Sequence, residues 1–178
     1  DGRVVAVITN AGEVEADAFV LALGAAAPAL LRPLGIRVPV YPLKGYSLTV
    51  PVTHEGGAPK VSVTDFKRKV VYARLGGELR VAGMADLAGR EAVLDPQRVA
   101  QLVAEARAAF PDASDYRDVR PWCGLRPATP RGTPVLGPTP VANLWLDVGH
   151  GALGFTLALA SRDVIADLRE RFDWVICD

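Results

Sequence analysis

The sequence predicts an α+β (mixed α/β) fold with a largely antiparallel sheet in its middle, on three observations. Strand-like runs alternate with two clear helical patterns, the mark of mixed architecture. From Lys44 the apolar residues switch to a period of two: Tyr46, Leu48, Val50 and Val52 share one face while Ser47 and Thr49 point the other way. From Pro96 to Phe110, Val99, Leu102, Val103, Ala106 and Phe110 fall at helical spacing.

Each element follows from local chemistry. Val4 to Thr9 is β-rich, Asn10-Ala11-Gly12 is a turn, and Val14 to Leu23 resumes as strand. Within it, Phe19 to Leu23 is an unbroken apolar run, as in a strand covered on both faces, and Gly24 ends it. Ala25 to Leu31 makes a short helix stopped before Pro33, and Pro39 and Pro42 mark an extended crossing. Lys69 to Met84 reads as a hairpin folded at Gly76-Gly77, which sets Tyr72 opposite Val81 and Arg74 opposite Leu79. The helix from Pro96 is capped by Asp95, with proline in its first turn. Arg117 to Arg126 is a further strand. Pro127 to Pro140 holds five prolines and two glycines and is expected to be irregular. Leu144 to Val148 is a short buried strand. A helix is expected from about Phe155 to Arg171, its first half without charge up to Ser161 and so buried on most sides. Trp174 to Cys177 closes the chain as one more strand.

Composition narrows the function. The 178 residues suffice for one domain with a real core. Twenty basic and 20 acidic side chains leave no net charge, and no basic block offers a nucleic-acid footprint. The longest apolar stretch, Ala18 to Leu31, is broken by Gly24 and Pro28 and is too short to span a bilayer. Cys123 and Cys177 are too few and too far apart for a disulfide framework or zinc knuckle, which favours a reducing, cytoplasmic compartment. No metal site is expected from two cysteines and two histidines, His54 and His150, and His54 sits in a loop that needs no function. No Gly-x-Ser-x-Gly elbow suggests a hydrolase. The chain opens at Asp1, not at a methionine, which leaves room for a removed leader and suggests a fragment. The mean hydropathy of +0.20, high for a domain of this size, points the same way.

Two motifs can carry chemistry. Gly149-x-Gly151-x-x-Gly154 lies between a strand and a helix, the layout of a dinucleotide fingerprint. Asp178 ends a possible next strand 24 residues beyond Gly154, roughly where an acidic ribose ligand belongs. Such a unit normally opens a domain, however, so another ligand at this helix start and a plain glycine-rich helix entry both stay open. The second motif is Arg126, set between Leu125 and Pro127 at the end of an apolar strand. A guanidinium fixed there can grip a carboxylate in a bidentate way, or can pair with a structural carboxylate or carbonyl.

Four stretches together resemble the C-terminal part of an FAD-dependent D-amino-acid dehydrogenase, within the D-amino-acid oxidase and glycine oxidase family. They are Ala18 to Gly24; Pro42-Leu43-Lys44-Gly45-Tyr46-Ser47-Leu48-Thr49-Val50-Pro51; Gly124-Leu125-Arg126-Pro127 with Gly132-Thr133-Pro134-Val135-Leu136-Gly137; and Gly149 to Thr156. They occur in the family order and span nearly the whole chain.

The resemblance implies that residues 1–35 are part of an FAD-binding domain, 36–126 a substrate-binding domain, and 127–178 the return to the FAD-binding domain with its C-terminal strand and helix. It implies that Arg126 holds the α-carboxylate of a small amino-acid substrate. Gly24, Gly149, His150, Gly151, Leu153, Gly154 and Thr156 would lie on the flavin side. Tyr46 would reach the substrate pocket or serve as a core tyrosine, and His150 would act as a backbone or supporting element more than as a proton shuttle. No catalytic base is demanded if the amine binds neutral, because the cofactor does the hard chemistry. The helix start at Phe155 would stabilise charge on the reduced ring.

Departures accompany the resemblance. Arg131 stands where the family usually has aspartate, Ala25-Ala26-Ala27 replaces a more polar run, and Glu170 to Asp178 has no family counterpart. No opening strand with a true Gly-x-Gly-x-x-Gly loop is present, so the ADP half of FAD has no site here. The expectation is therefore a fragment of the enzyme, inactive alone, that does not bind FAD by itself. Its partner would be the missing N-terminal half or a second copy meeting its apolar surface, with no nucleic acid involved. The Lys44 to Pro51 segment tilts the parent toward a quinone acceptor and peripheral attachment at the inner face of the membrane. Two other readings remain beside it: a non-enzymatic interaction module that keeps the fold, and a small nucleotide-binding domain built on Gly149 to Gly154. The latter would be marked by a parallel sheet containing both Leu144–Val148 and Trp174–Cys177.

Overall fold

Hydrophobic periodicity divides the chain into two separately packed cores. The computed structural model describes residues 2–87, 89–157, 166, 170 and 175–177. One compact unit comprises residues 1–42 and 126–178, and the other is the continuous segment 43–125. The first crossing falls seven residues beyond the 35/36 boundary expected from sequence (42 − 35), because Ile36, Val38 and Val40 pack on the first unit's core.

The first unit opens with β1 (Ala6–Thr9) and β2 (Gly12–Glu15), an antiparallel hairpin that pairs as its own two-stranded sheet. The run expected from Val14 to Leu23 therefore breaks at Ala16-Asp17, and β3 (Ala18–Leu21) joins a different sheet. Its pattern of consecutive buried residues is that of a strand covered on both faces. A 3₁₀ turn over Gly24–Ala26 leads into α1 (Ala27–Leu31), with Pro28 in its first turn. A further 3₁₀ turn, Arg32–Leu34, runs through Pro33 and ends at Gly35, whose φ of 75° is the left-handed conformation that glycine tolerates.

Later parts of the chain complete that sheet. β9 (Val135–Pro138), β10 (Leu144–Val148) and β11 (Val175–Cys177) give the order β11-β3-β10-β9. β10 and β11 both run parallel to β3, and β9 is antiparallel to β10. The expectation that Pro127 to Pro140 is wholly irregular is corrected by β9. As the edge strand it pairs on one side only, where a proline is tolerated. Residues 154–157, 166 and 170 are helical, and the rest of the helix expected from Phe155 to Arg171 lies outside the described residues.

Asn143, only 1% exposed, ties the strands together. Its Oδ1 accepts from the Val4 amide at 2.9 Å, and its Nδ2 donates to the carbonyls of Val4 at 2.9 Å and Asp17 at 3.1 Å. Its own carbonyl accepts from the Phe19 amide at 2.8 Å. A buried amide satisfied this fully fixes the chain entering β3 against the start of β10.

The second unit is built on β4 (Tyr41–Pro51), β5 (Val63–Asp65), β6 (Val70–Leu75), β7 (Glu78–Asp86) and β8 (Arg120–Ala128), in the order β5-β6-β7-β4-β8. β4 and β8 also carry the two crossings between units. The β6–β7 register pairs Tyr72 with Val81 and Arg74 with Leu79, as the two-residue turn predicts. α2 (Pro96–Ala109) starts where Asp95 accepts a hydrogen bond from the Gln97 amide. It buries Leu102 and Ala106 against Tyr46, Leu48, Val50, Tyr72, Leu79 and Val81. Fully burying a leucine of this kind contributes about 1.5–3 kcal/mol.

Candidate active site at the parallel strand ends

β3 and β10 pair in parallel with Leu144 opposite Phe19 and Leu146 opposite Leu21. Both strands therefore finish at one edge of the sheet. Three residues past the last pair stand Gly24 after β3 and Gly149 after β10, and both need positive φ, 52° and 85°. An open α/β sheet binds ligands at this carboxyl edge, where the chain leaves the strands in tight turns.

The two glycines are required in different ways. A Cβ on Gly149 would meet Thr129 Cγ2 at 2.6 Å, so the site is closed by protein as well as by φ. A Cβ on Gly24 would meet Pro127 Cγ and Cβ, at an ordinary 3.6 and 3.8 Å. Gly151, at φ 59°, has nothing within 4 Å of where a Cβ would be. Gly151 thus leaves bare backbone that a flat cofactor can approach, whereas Gly24 packs against Pro127.

The segment after residue 125 lies along both turns, with Pro127 beside Gly24 and Thr129 beside Gly149. It is held in shape by a turn in which the Gly132 amide donates to the Thr129 carbonyl at 3.1 Å and Thr129 Oγ1 donates to the Thr133 carbonyl at 2.7 Å. Gly132 supplies the turn's positive φ of 73°, so the turn closes with Arg131 in place. Arg126 precedes Pro127 and is half-buried. Burial pushes its guanidinium below the usual arginine value, the response of a cation removed from water. A cation in that condition favours a paired oxyanion.

His150 follows Gly149 and is pinned: its Nε2 lies 3.0 Å from Asp147 Oδ1, both side chains being 14% exposed. That link leads back into β10 and steadies the loop. The chain then turns through a 3₁₀ segment, Gly151–Leu153, into the helical residues 154–157. Leu153 is 55% and Phe155 99% exposed, an apolar rim beside the open glycine, and Thr156 is exposed too. A Cβ on Gly154 would meet His150 Cβ at 3.5 Å, ordinary contact.

The structure thus brings together Gly24, Arg126, Gly149, His150, Gly151, Leu153, Gly154 and Thr156 within the first unit. Tyr46 belongs to the second. It lies in that unit's core cluster at 1% exposure, its hydroxyl without a hydrogen-bond partner among the described residues. Lys44 Nζ sits 5.6 Å from the centre of its ring. Sequence reasoning missed Thr129, Asp147 and Asn143. Only the Asp147-x-x-His150 spacing offered a local hint.

The open Gly151 and the apolar rim of Leu153 and Phe155 fit a flat, partly apolar cofactor such as a flavin. A parallel sheet holding both Leu144–Val148 and 175–177 is present as well, through β3, as the small nucleotide-binding reading asks.

The chain is 56% identical over 180 residues to D-amino acid dehydrogenase 2 of Ralstonia nicotianae, covering 96% of this chain and 42% of the relative. It is 49% identical over 166 residues to D-amino acid dehydrogenase of Paramagnetospirillum magneticum, covering 93% and 39%. It therefore spans about two-fifths of the length of these curated relatives. Among solved structures, glycine oxidase from Geobacillus kaustophilus superposes with a TM-score of 0.83 at 28% identity, over 93% of this chain and 45% of that one. Glycine oxidase from Bacillus cereus shares the fold, with a TM-score of 0.78 at 22% identity, over 96% and 47%. The profile of FAD dependent oxidoreductases matches residues 1–168, nearly the full length, and on that match the chain belongs to the FAD dependent oxidoreductase family.

Proposed function

We propose that this chain forms the substrate-side portion of a flavin enzyme that oxidatively deaminates D-amino acids. What supports this reading is that Pro127 and Thr129, one and three residues after Arg126, lie beside Gly24 and Gly149 at the carboxyl ends of β3 and β10. Arg126 holds the substrate α-carboxylate in a fork of two hydrogen bonds, and so sets which hydrogen on the α-carbon is presented. Gly151 admits the cofactor against bare backbone, and Gly24 lies at the neighbouring strand end. Asp147 keeps His150 in place so that the loop does not move when the cofactor binds. A flavin held beside Gly24 and Gly151 would supply the two-electron oxidation, as acceptor of the α-hydrogen with its electron pair, and the oxidised substrate would hydrolyse to a 2-oxo acid and ammonia. The dehydrogenase-like Lys44 to Pro51 segment favours a quinone-type acceptor and peripheral membrane association. Among the described residues no helix is long and apolar enough to cross a membrane.

The remainder of the flavin site comes, in this reading, from chain beyond these 178 residues. The purified chain is expected to bind no stoichiometric flavin and to turn over no D-alanine; a yellow one-to-one complex overturns that part. Arg126 is tested in a chimera in which this chain replaces its counterpart in the Ralstonia relative. Loss of a charged hydrogen-bond pair worth about 1.5–3 kcal/mol raises KM for D-alanine roughly ten- to a hundred-fold in Arg126→Ala. An unchanged KM removes the role.

A second reading has one observation in its favour, the parallel placement of β10 and β11 on either side of β3. It makes the first unit a small nucleotide-binding domain. Saturable binding of NAD by the isolated chain, read by thermal shift, supports it, and no shift at millimolar NAD removes it.

A further inference from the structure

The loop of residues 66–69, between β5 and β6, concentrates cations on a chain that has no net charge. Residues 60–69 hold Lys60, Lys67, Arg68 and Lys69 against a single acid, Asp65. Arg68 is already committed: its Nη1 lies 2.8 Å from Asp65 Oδ2 and its Nε 2.7 Å from Glu105 Oε2. Among the described residues the three lysines make no ion pair. On the same hairpin Phe66 is 77% exposed, and Val61, next to Lys60, is 72% exposed. An exposed aromatic ring flanked by unneutralised ammonium groups matches the boundary of an anionic bilayer. There the ring enters the acyl edge while the lysines keep their heads among the phosphates. We propose that this hairpin tip docks the chain on an anionic lipid surface, with Phe66 inserted and Lys67 and Lys69 on the headgroup phosphates.

The tip has its shape before it meets a surface. Asp65 Oδ1 accepts from the amides of Lys67 and Arg68, both at 2.9 Å, and Lys69 takes a left-handed φ of 58°. The pairing of Asp65 with Val70 closes the hairpin, and the hold of Arg68 on Glu105 ties the loop to α2. Lys69 Nζ lies 5.9 Å from the centre of the Phe66 ring, so one ammonium stands with the ring it accompanies. Docking a loop already ordered in this way loses little conformational entropy. Duplex nucleic acid or an acidic peptide would engage the lysines and leave both apolar side chains in water. The proposal rests on the peripheral attachment stated above and gives it a surface; it does not depend on the flavin chemistry.

The test is flotation of the purified chain with vesicles of phosphatidylcholine alone or mixed with phosphatidylglycerol. The chain should bind the mixed vesicles, release them as salt rises, and ignore phosphatidylcholine. Lys67→Gln with Lys69→Gln should weaken binding about thirty-fold, at about five-fold per lysine. Phe66→Ser should weaken it about tenfold or more. Phe66→Trp should keep binding and add indole emission that shifts to the blue on the vesicles. These positions are exposed, so each variant should melt with the parent, which separates lost binding from lost folding. If the parent binds and the variants bind equally well, attachment lies elsewhere on the chain: the tip loses its role while the attachment reading stands. If the lysine variant fails but Phe66→Ser binds like the parent, the contact is electrostatic only and the inserted ring is overturned. If the parent binds neither vesicle, the tip has no lipid affinity and the proposal falls.

Discussion

Gly149 carries two constraints at once, a φ of 85° and the Thr129 methyl 2.6 Å from any added Cβ. Gly149→Ala should therefore destabilise the first unit by about 2–4 kcal/mol, from left-handed strain and overpacking together. A urea midpoint within error of the parent would show that the turn gives way more easily than its packing indicates. Gly151 is the control: its φ is also positive, but its surroundings are open. Tyr46 makes the opposite case. Its hydroxyl is buried and unpartnered among the described residues, so Tyr46→Phe should leave thermal stability unchanged or raise it by up to about 1 kcal/mol. A loss of more than that would mean the hydroxyl has a partner in solution, such as a bound water. The period-two pattern placed Tyr46 on the apolar face with Leu48 and Val50, which is why a core role was legible beside a pocket role. Asn143 was not legible, because an asparagine in a polar turn looks alike whether it faces water or bonds three backbone groups 126 and 139 residues away.

Among the elements, those whose energetics are local were the ones readable in advance. The Gly76-Gly77 hairpin kept its register because a two-residue loop dictates pairing from the turn outward. α2 kept its cap and stripe for the same reason. β9 is hidden in the sequence because five prolines outweigh a short apolar run in any local count, and only its place at a sheet edge makes the strand possible. The break between β2 and β3 was also hidden, since both halves are β-rich and differ only in the sheet they join. The α2 layer yields a pH prediction. Tyr72, which donates to the Glu105 carbonyl, and Tyr116, which donates to those of Ala106 and Phe110, are both pushed above the ordinary value of 10.0 by burial. A raised native value means the folded state keeps its proton longer than the unfolded chain. The stabilisation is thus complete below pH 10 and is lost as pH rises through the native values. Alkaline titration followed by tyrosinate absorbance and circular dichroism should show part of the tyrosine signal appearing together with unfolding. Full ionisation with helix content intact would contradict the packing of Tyr72 and Tyr116 beneath α2.

For the whole molecule, the decisive property is that one unit is continuous and the other is not. Residues 43–125 form an uninterrupted stretch with its own core of Tyr46, Leu48, Val50, Tyr72, Leu79, Val81, Leu102, Ala106 and Tyr116. The first unit needs residues 1–42 and 126–178 together, since β3 comes from one segment and β9, β10 and β11 from the other. The resemblance implies that the two ends of the chain belong to one domain. Composition alone could not, because hydrophobic pattern records which residues are buried but not which distant strands share a sheet. The continuous unit has what independent folding requires: local contacts from the β6–β7 hairpin, a capped helix over the sheet, and both crossings in strands β4 and β8 that neighbour each other. At 83 residues (125 − 43 + 1) it lies above the size at which a core alone becomes marginal. Expressed by itself, Leu43–Leu125 should give dispersed amide resonances and a single cooperative thermal transition. Leu102→Ala should lower its stability by about 2–5 kcal/mol, enough to abolish that transition in a unit of this size. If the excised segment instead shows collapsed, unresolved resonances, its core is not self-sufficient and its folding depends on residues 1–42 and 126–178.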